Sequence, residues 1–337
     1  MPVRSTVLIR HPHVGIHVER AACELVRPCR SSPSFRFGDP IKVLDASIIG
    51  AGPAGLTAAT YLRRFHRDIV VIDGHASRAR WIPKSHNIPG FPLGIAGTEL
   101  LEQLRAQAAR YGANILDGRV TSLAREGEHF TLRTFSDTIR TRYVLLATGI
   151  LDRFPALPGA EEAVLRSLLR ICPVCDGFES SGKNIGVISD GEHGQREAEF
   201  LLTYSDRITL IHIGDKLHPA AAHRLHQRGI RTLQTKADRL RIETGELRVL
   251  EDHAAPVKFD VCYSALGCMP QNRLATGVGA ALDDTGALVV DAHQETSVPG
   301  LYAAGDVVRG LNQVVVAAAE AAIAATDIHN KLRQDPT

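Results

Sequence analysis

Residues 44–64 read LDASIIGAGPAGLTAATYLRR and combine three patterns in order. The apolar run Leu44–Ile49 predicts a short buried strand, and the glycine-rich run Gly50–Gly55 predicts a tight turn. Leu56–Arg64 then predicts a helix, and Ile69–Ile72 predicts a second strand. A glycine pattern alone is a weak signal. Its place between a strand and a helix indicates a nucleotide-binding unit.

Each glycine of this Gly-x-Gly-x-x-Gly pattern has a physical role. Gly50 allows the tight turn, Gly52 lets a pyrophosphate approach the backbone, and Gly55 lets helix and strand pack closely. The helix N-terminus adds free N–H groups and a partial positive charge, both of which favour phosphate. Asp73 lies 23 residues after Gly50, where a carboxylate can accept hydrogen bonds from a ribose diol. A dinucleotide is therefore predicted to bind here.

A second strand-turn-helix-strand pattern follows about 140 residues later and predicts an α/β protein with two such units. Its turn, 189–194, reads SDGEHG, so Gly191 and Gly194 are the glycines available for NAD(P). Ser189 replaces the turn glycine, and Asp190 brings a carboxylate to the place where a pyrophosphate would lie. No arginine pair follows the next strand to bind the 2′-phosphate of NADPH. A weakened NADH site and an empty pocket both stay open.

The stretch 172–177 reads CPVCDG and contains two cysteines separated by two residues. Such a pair closes a small disulfide, in which one thiol attacks a partner and the other resolves the mixed disulfide. Half of a zinc site has the same spacing, but no second CxxC or HxxxH pair lies close downstream, and no metal is predicted. Asp176 lies next to the pair, close enough to exchange protons with a thiolate. The flanking nucleotide motifs favour a redox-active disulfide.

Length and composition indicate a soluble protein of about two domains, with 337 residues, 44% hydrophobic and 23% charged. The net charge of +2 gives no reason to expect nucleic acid or a membrane surface as partner. Six cysteines are too few for a secreted disulfide scaffold and indicate a cytoplasmic protein. Cys262 and Cys268 are interpreted as buried free thiols. Residues 1–43 lack a regular period and are predicted to be a basic, poorly ordered extension.

From about Leu44 onward, the chain resembles the low-molecular-weight thioredoxin reductases of the pyridine nucleotide–disulfide oxidoreductase superfamily. The resemblance rests on motifs in matching order and spacing, namely Gly50–Gly55 with Asp73, Asn87–Pro92, Ala147–Gly149, Cys172–Gly177 and Ala303–Asp306. It implies two Rossmann-like domains, the second inserted into the first. Residues 44–150 and 269–332 would form the FAD-binding domain, and 151–268 an NAD(P)-binding-like domain that carries the cysteine pair. The family also implies a homodimer.

The same resemblance implies which residues bind FAD. Asp73 would bind the adenosine ribose, and Asp306 would bind the ribityl-diphosphate region. Gln313 and Val314, at the start of the last helix, would lie at the pyrimidine edge of the flavin, which the helix dipole favours in its anionic reduced form. The other implied FAD contacts are Gly50, Gly52, Pro53, Ala54, Gly55, Asn87, Thr148, Gly149 and Gly305.

The cysteine pair also takes its implied roles from the family. Cys175 would face the flavin, Cys172 would be the interchange thiol, and Asp176 the acid/base. Electrons would pass from NADPH or NADH through FAD and the disulfide to thioredoxin, a similar small protein or a small disulfide substrate. Domain rotation is expected, because the dithiol cannot contact the flavin and the partner together. CPVCDG also resembles the reductase subunit of alkyl hydroperoxide reductases, but residues 1–43 are too short for their extra redox domain.

Two other functions stay open. A dithiol oxidase of this fold would pass electrons from a bound dithiol to oxygen, and it needs no nicotinamide site. The altered second glycine pattern would be expected for such an enzyme. A flavin-binding redox sensor or electron-transfer partner is the third hypothesis, although the cysteine pair argues against a purely structural role.

Overall fold

The computed structural model describes residues 42–243, 246–250 and 255–334, so nearly all of the predicted N-terminal extension lies outside the described residues. The strands are β1 (Val43–Ile49), β2 (Ile69–Asp73), β3 (Asn114–Asp117), β4 (Ser122–Glu126), β5 (His129–Arg133), β6 (Thr138–Leu146), β7 (Ile150–Asp152), β8 (Leu169–Arg170), β9 (Ile185–Ser189), β10 (Ile208–His212), β11 (Arg231–Gln234), β12 (Leu240–Glu243), β13 (Glu246–Val249), β14 (Val257–Phe259), β15 (Val261–Ser264), β16 (Cys268–Pro270) and β17 (Leu301–Ala303). The helices are α1 (Pro53–Arg64), α2 (Gly97–Arg110), α3 (Ala160–Leu165), α4 (Pro173–Asp176), α5 (Glu192–Leu201), α6 (Pro219–Gln227), α7 (Arg273–Thr276) and α8 (Val314–Gln334). Within the described ranges, no helix is long and apolar enough to cross a membrane.

The first unit is built on a seven-stranded sheet in the order β3-β2-β1-β6-β5-β4, with β17 also paired to β6. β1 pairs in parallel with β2 and β6, so that Ile49 lies opposite both Ile72 and Leu146. β17 also runs parallel to β6, and Ala303 lies opposite Leu146. Parallel strands end at one edge of a sheet. The turns after these four strands therefore meet at that edge.

Helices α1 and α8 pack together on one face of this sheet. The alanines of both helices lack long side chains and allow a close approach, and Ala58 and Ala324 are completely buried. This confirms that the alanine-rich last helix packs tightly. α1 begins at Pro53, three residues before the predicted start. Proline is favoured in the first turn because its missing N–H has no partner to lose there.

The second unit is built on a parallel sheet in the order β11-β10-β9-β15-β8, joined by the antiparallel strands β12-β13-β14. In the sequence, every strand of this unit falls between β7 and β16, which pair with each other. The chain then returns to the first sheet through β17. The predicted α/β fold, with a second Rossmann-like unit inserted into the first, is therefore confirmed.

Candidate active site

A cavity of about 690 Å³ lies at the edge where β1, β2, β6 and β17 end. This volume is within the range of small-molecule and cofactor sites. Its wall includes Gly50–Ala54 after β1, Asp73 at the end of β2, Thr148 and Gly149 after β6, and Asp306 after β17. The fold thus brings together predicted FAD contacts that are far apart in the sequence.

The glycine-rich turn after β1 has a backbone shape that fits a dinucleotide. A Cβ on Gly50 would lie 2.3 Å from the Ala147 carbonyl oxygen, and a Cβ on Gly55 would lie 1.9 Å from the Gly50 carbonyl oxygen. Neither position can hold a side chain, and Gly50 also has a φ of +109°. A Cβ on Gly52 would lie 3.2 Å from Ser77 Oγ, at the cavity wall. Glycine at 52 therefore keeps the N-terminus of α1 open to phosphate.

Asp73 is buried at the end of β2, at the position predicted to bind ribose. Its Oδ1 accepts a hydrogen bond of 2.8 Å from the His75 backbone N–H. Its Oδ2 forms an ion pair with Arg105 of α2. A ribose hydroxyl would share or replace this contact. No pattern in the sequence indicates Arg105, which lies 32 residues from Asp73 on a helix with no binding motif.

Asp306 belongs to a cluster of charges around Arg78. Arg78 donates hydrogen bonds of 2.7 and 2.9 Å to the two carboxylate oxygens of Asp152, and its Nη1 lies 3.5 Å from Asp306 Oδ2. Burial raises the pKa of Asp306, and the nearby guanidinium of Arg78 partly offsets this effect. Arg78 and Asp152 carried no motif and were missed. Together they link the cavity to β7, where the chain enters the second unit.

The Cys172–Cys175 disulfide lines the same cavity, against the N-terminus of α8. Gln313 Nε2 lies 3.3 Å from Cys175 Sγ and 3.5 Å from Cys172 Sγ and donates to both sulfurs. Asn87 Nδ2 donates to Gln313 Oε1 at 2.9 Å, and Ser85 Oγ donates to Asn87 Oδ1 at 2.8 Å. Gln313 and Asn87 were predicted to contact FAD. Both line the cavity, where Gln313 contacts the disulfide and Asn87 contacts Gln313.

The cysteines are held by α4, a short helix that no pattern in the sequence predicts. Cys172 is its N-cap, and Cys172 Sγ accepts a hydrogen bond of 3.1 Å from the Cys175 backbone N–H. Pro173 is its first residue, where proline is favoured. Asp176 ends the helix with its side chain 26% exposed, and burial raises the pKa of its carboxyl group. A raised pKa near the thiols suits an acid/base.

The second glycine-rich turn, after β9, keeps the packing of the first turn but changes its charge. A Cβ on Gly194 would lie 2.3 Å from the Ser189 side chain, so Gly194 lets α5 pack on β9. A Cβ on Gly191 would meet no described atom within 4 Å. Asp190 Oδ2 forms an ion pair of 2.7 Å with Arg153 Nη2. The backbone fits a dinucleotide, whereas the Asp190 carboxylate repels a pyrophosphate.

Asp190→Asn is expected to tighten the binding of NADH and NADPH. The change removes a repulsion of about 1 kcal/mol or more, so the Kd should fall about five- to tenfold. Fluorescence titration of the holoenzyme at low salt measures this. Glu192→Gln is the matched control, because it removes a carboxylate that is 87% exposed from the same helix start, and we expect less than a twofold change. Equal Kd values for Asp190→Asn and wild type would place the pyrophosphate elsewhere.

Two smaller predictions have different outcomes. Cys262 is a buried free thiol, as predicted. The prediction for Cys268 is wrong, because this free thiol is exposed. β16 pairs only with β7 among the described strands, and such a two-stranded ladder cannot cover both of its faces.

Trp81 lines the cavity and also packs edge-on against Phe154, with ring centres 6.2 Å apart.

Known proteins share the sequence pattern and the fold of this chain. A family model described as pyridine nucleotide-disulphide oxidoreductase matches residues 44–321. A thioredoxin reductase of Mycolicibacterium smegmatis is 33% identical over 306 residues, which cover 87% of this chain and 97% of the relative. A thioredoxin reductase of Treponema pallidum (strain Nichols) is 32% identical over 293 residues, 83% of this chain and 94% of the relative.

Solved structures match over a similar length. The crystal structure of HlmI has a TM-score of 0.79 at 31% identity and covers 87% of this chain and 93% of that chain. The crystal structure of thioredoxin reductase from Streptococcus pyogenes MGAS5005 has a TM-score of 0.76 at 24% identity. It covers 88% of this chain and 100% of that chain, and it shows the same fold.

Proposed function

Since the chain belongs to the pyridine nucleotide-disulphide oxidoreductase family, we propose that its electron acceptor is thioredoxin or a similar small protein. The chain is an FAD-dependent NAD(P)H–disulfide oxidoreductase. When bound, FAD supplies the two-electron transfer between NAD(P)H and a disulfide. The observation that carries the proposal is the position of the Cys172–Cys175 disulfide in the wall of the cavity formed by the dinucleotide turn.

The proposed FAD site is the cavity at the edge of the first sheet. The residues proposed to hold FAD are Gly50, Gly52, Pro53, Ala54, Gly55, Asp73, Asn87, Thr148, Gly149, Gly305, Asp306, Gln313 and Val314. All of them except Gly55 line the cavity, and Gly55 packs α1 against the turn. We place the boundary between the two domains at the β7–β16 ladder. Residues 44–150 and 269–332 are then the FAD-binding domain, and 151–268 the inserted domain.

The proposed exchange with the partner starts from the reduced cysteine pair. The Cys172 thiolate attacks one sulfur of the partner's disulfide and forms a mixed disulfide, while the departing sulfur takes a proton from Asp176. The Asp176 carboxylate then accepts the proton of the Cys175 thiol. Cys175 attacks Cys172 Sγ and releases the second partner sulfur as a thiolate, which carries the charge that Cys172 had. The enzyme ends oxidised to a disulfide, and the partner ends reduced to one thiol and one thiolate.

Anaerobic mixing tests this function directly. The holoenzyme should lose its flavin absorbance within seconds when NADPH or NADH is added, and subsequent addition of oxidised thioredoxin should restore it. The assay needs both nucleotides, because the Asp190–Arg153 pair stands at the second turn. If neither nucleotide bleaches the flavin at millimolar concentration, the proposed electron donor is wrong.

A dithiol oxidase is the second candidate, and the Asp190 carboxylate is the observation that favours it. Such an enzyme takes electrons from a small dithiol and passes them to oxygen, so a phosphate-repelling second turn does not matter. An oxygen electrode distinguishes the two candidates. Oxygen uptake with small dithiols, without any uptake or flavin bleaching with NAD(P)H, would favour the oxidase.

We propose a cytoplasmic homodimer on the basis of the family resemblance and the sparse cysteines. The exposed free thiol of Cys268 is in keeping with a reducing compartment. The net charge of +2 gives no reason to expect nucleic acid or a membrane as a further partner. Light scattering coupled to size-exclusion chromatography measures the oligomeric state.

A further inference from the structure

Two long polar side chains lie side by side in the sheet of the second unit, next to α4, the short helix that holds the cysteines. β15 and β8 run parallel, and their register places Tyr263 opposite Arg170. Residues opposite each other on neighbouring strands project from the same face of a sheet. Tyr263 is 0% exposed and Arg170 is 8% exposed. Buried polar groups of this kind need partners.

Asp176 is the shared partner of Tyr263 and Arg170. The Tyr263 hydroxyl donates to Asp176 Oδ1 at 2.9 Å, and Arg170 Nη1 lies 3.6 Å from the same oxygen. Arg170 Nη1 also donates to the Asp176 backbone carbonyl at 2.6 Å. Within the part of the chain that the structure describes, Asp176 Oδ2 has no hydrogen-bond partner. One oxygen is therefore held in place, and the other is available for proton exchange.

Ser180 gives this network a direction. Its Oγ accepts a hydrogen bond of 3.0 Å from Arg170 Nη1 and lies 2.9 Å from the Tyr263 hydroxyl oxygen. The Asp176 carbonyl is a more distant acceptor for the Ser180 proton, at 3.4 Å. The Ser180 proton is thus directed to Tyr263, and the Tyr263 proton is directed to the Asp176 carboxylate. The hydrogen bonds all point the same way, from the Arg170 guanidinium to the Asp176 carboxylate. Neighbouring hydrogen bonds in such a chain strengthen one another.

We propose that Tyr263 and Arg170 are positioning residues that hold Asp176 in the orientation and protonation state needed for thiol–disulfide exchange. The inference rests on the proposed role of Asp176 as acid/base and extends it to residues that no motif marks. Tyr263 acts through Asp176.

The electrostatics of the network support this role. Burial raises the pKa of Asp176, whereas the charge of Arg170 and the hydrogen bond from Tyr263 lower it. The nearby carboxylate of Glu179 raises it further. Burial also raises the pKa of Tyr263, so its hydroxyl keeps its proton and remains a donor. Tyr263 and Arg170 counteract the effects of burial and Glu179. Loss of either residue would therefore shift the pKa of Asp176 upward.

Tyr263→Phe is expected to shift the acid limb of the pH–rate profile of thiol–disulfide exchange upward by about one pH unit. This shift is the effect of one charge-assisted hydrogen bond. The direction follows because Asp176 must be a carboxylate to accept the Cys175 proton. Arg170→Gln should shift the limb in the same direction, and it keeps the test available if Tyr263→Phe does not fold.

The measurement uses the reduced holoenzyme under anaerobic conditions with 5,5′-dithiobis(2-nitrobenzoate). The assay uses a background in which Cys23, Cys29 and Cys268 are replaced by serine, so that these thiols cannot release colour of their own. Release of the second equivalent of coloured thiolate then reports the attack of Cys175 on the mixed disulfide and needs neither nucleotide nor thioredoxin. Tyr204→Phe is the matched control. Its ring lies beside Gly177, where an added Cβ would be 2.3 Å from Tyr204 Cε2, but it makes no hydrogen bond to Asp176 among the described contacts. We expect no shift.

The Asp176→Asn background separates the inference from the proposed function. In that background, Tyr263→Phe should cause no further shift, because the group on which it acts is gone. If Asp176→Asn removes the acid limb but Tyr263→Phe and Arg170→Gln leave it unchanged, the inference is wrong and the role of Asp176 stands. If Asp176→Asn itself leaves the limb unchanged, the assignment of Asp176 fails and the inference fails with it.

Discussion

Gly52→Val is expected to yield a folded protein whose FAD affinity is lower by about 100-fold or more, since its phosphate contacts are blocked. Gly52 has a φ of −81°, which any residue can adopt, so the backbone is not strained by the change. The added Cβ would lie 3.2 Å from Ser77 Oγ, and a small movement of that side chain relieves the contact. The valine methyl groups would occupy the space beside the N-terminus of α1. A pyrophosphate could then no longer reach the free N–H groups.

The visible flavin spectrum of the purified variant, and its FAD content after dialysis, measure this loss. The matched control is Gly191→Val, which changes the corresponding glycine of the second turn. No described atom lies within 4 Å of a Cβ added there, so the fold should tolerate the change and the protein should keep its flavin. A Gly52→Val protein with one tightly bound FAD per chain would show that the cofactor binds elsewhere.

Cys172→Ser is expected to lower the rate of disulfide reduction by about a thousandfold or more. A serine hydroxyl is not ionised near neutral pH and cannot form the Cys172–Cys175 disulfide. The turnover of oxidised thioredoxin, or of a small aromatic disulfide, with NAD(P)H measures the effect. The variant should keep its flavin, because Cys172 belongs to the second unit, whereas the proposed FAD contacts belong to the first.

Cys268→Ser is the control for this experiment. Cys268 is a free and exposed thiol, so it would react with the same probes, yet it has no described disulfide partner. We expect its turnover to stay within about twofold of wild type, the usual range for a surface change. If Cys172→Ser retained a tenth of the activity, electrons would reach the acceptor by another route. The double variant Cys172→Ser/Cys268→Ser would then test whether Cys268 provides it.

Local patterns in the sequence predicted the two nucleotide-type units because strand, turn and helix signals are carried by neighbouring residues. The run before Gly50, the glycine spacing and the helix after it depend on backbone conformations within about twenty residues. The start of α1 was predicted to within three residues, at Leu56 instead of Pro53. The short helix α4 was missed because four residues are too few to show a helical period.

The contacts of the site depend on sheet order and register, which local patterns do not carry. Arg105 reaches Asp73 across 32 residues, and Gln313 reaches Cys172 across 141. The exposure of Cys268 likewise follows from the isolated β7–β16 ladder. None of these residues has a motif that would reveal its partner.

The sequence by itself predicted the dinucleotide cradle, the redox-active cysteine pair and the adjacent Asp176, because each is a local arrangement with its own chemistry. Only the tertiary structure decided that the disulfide lies in the wall of the cavity that the cradle forms. It also decided that Tyr263 and Arg170 hold Asp176, since a one-residue slip between β8 and β15 would turn one of the two side chains to the opposite face. Long-range pairing of strands, rather than any motif, brings the side chains of the site together.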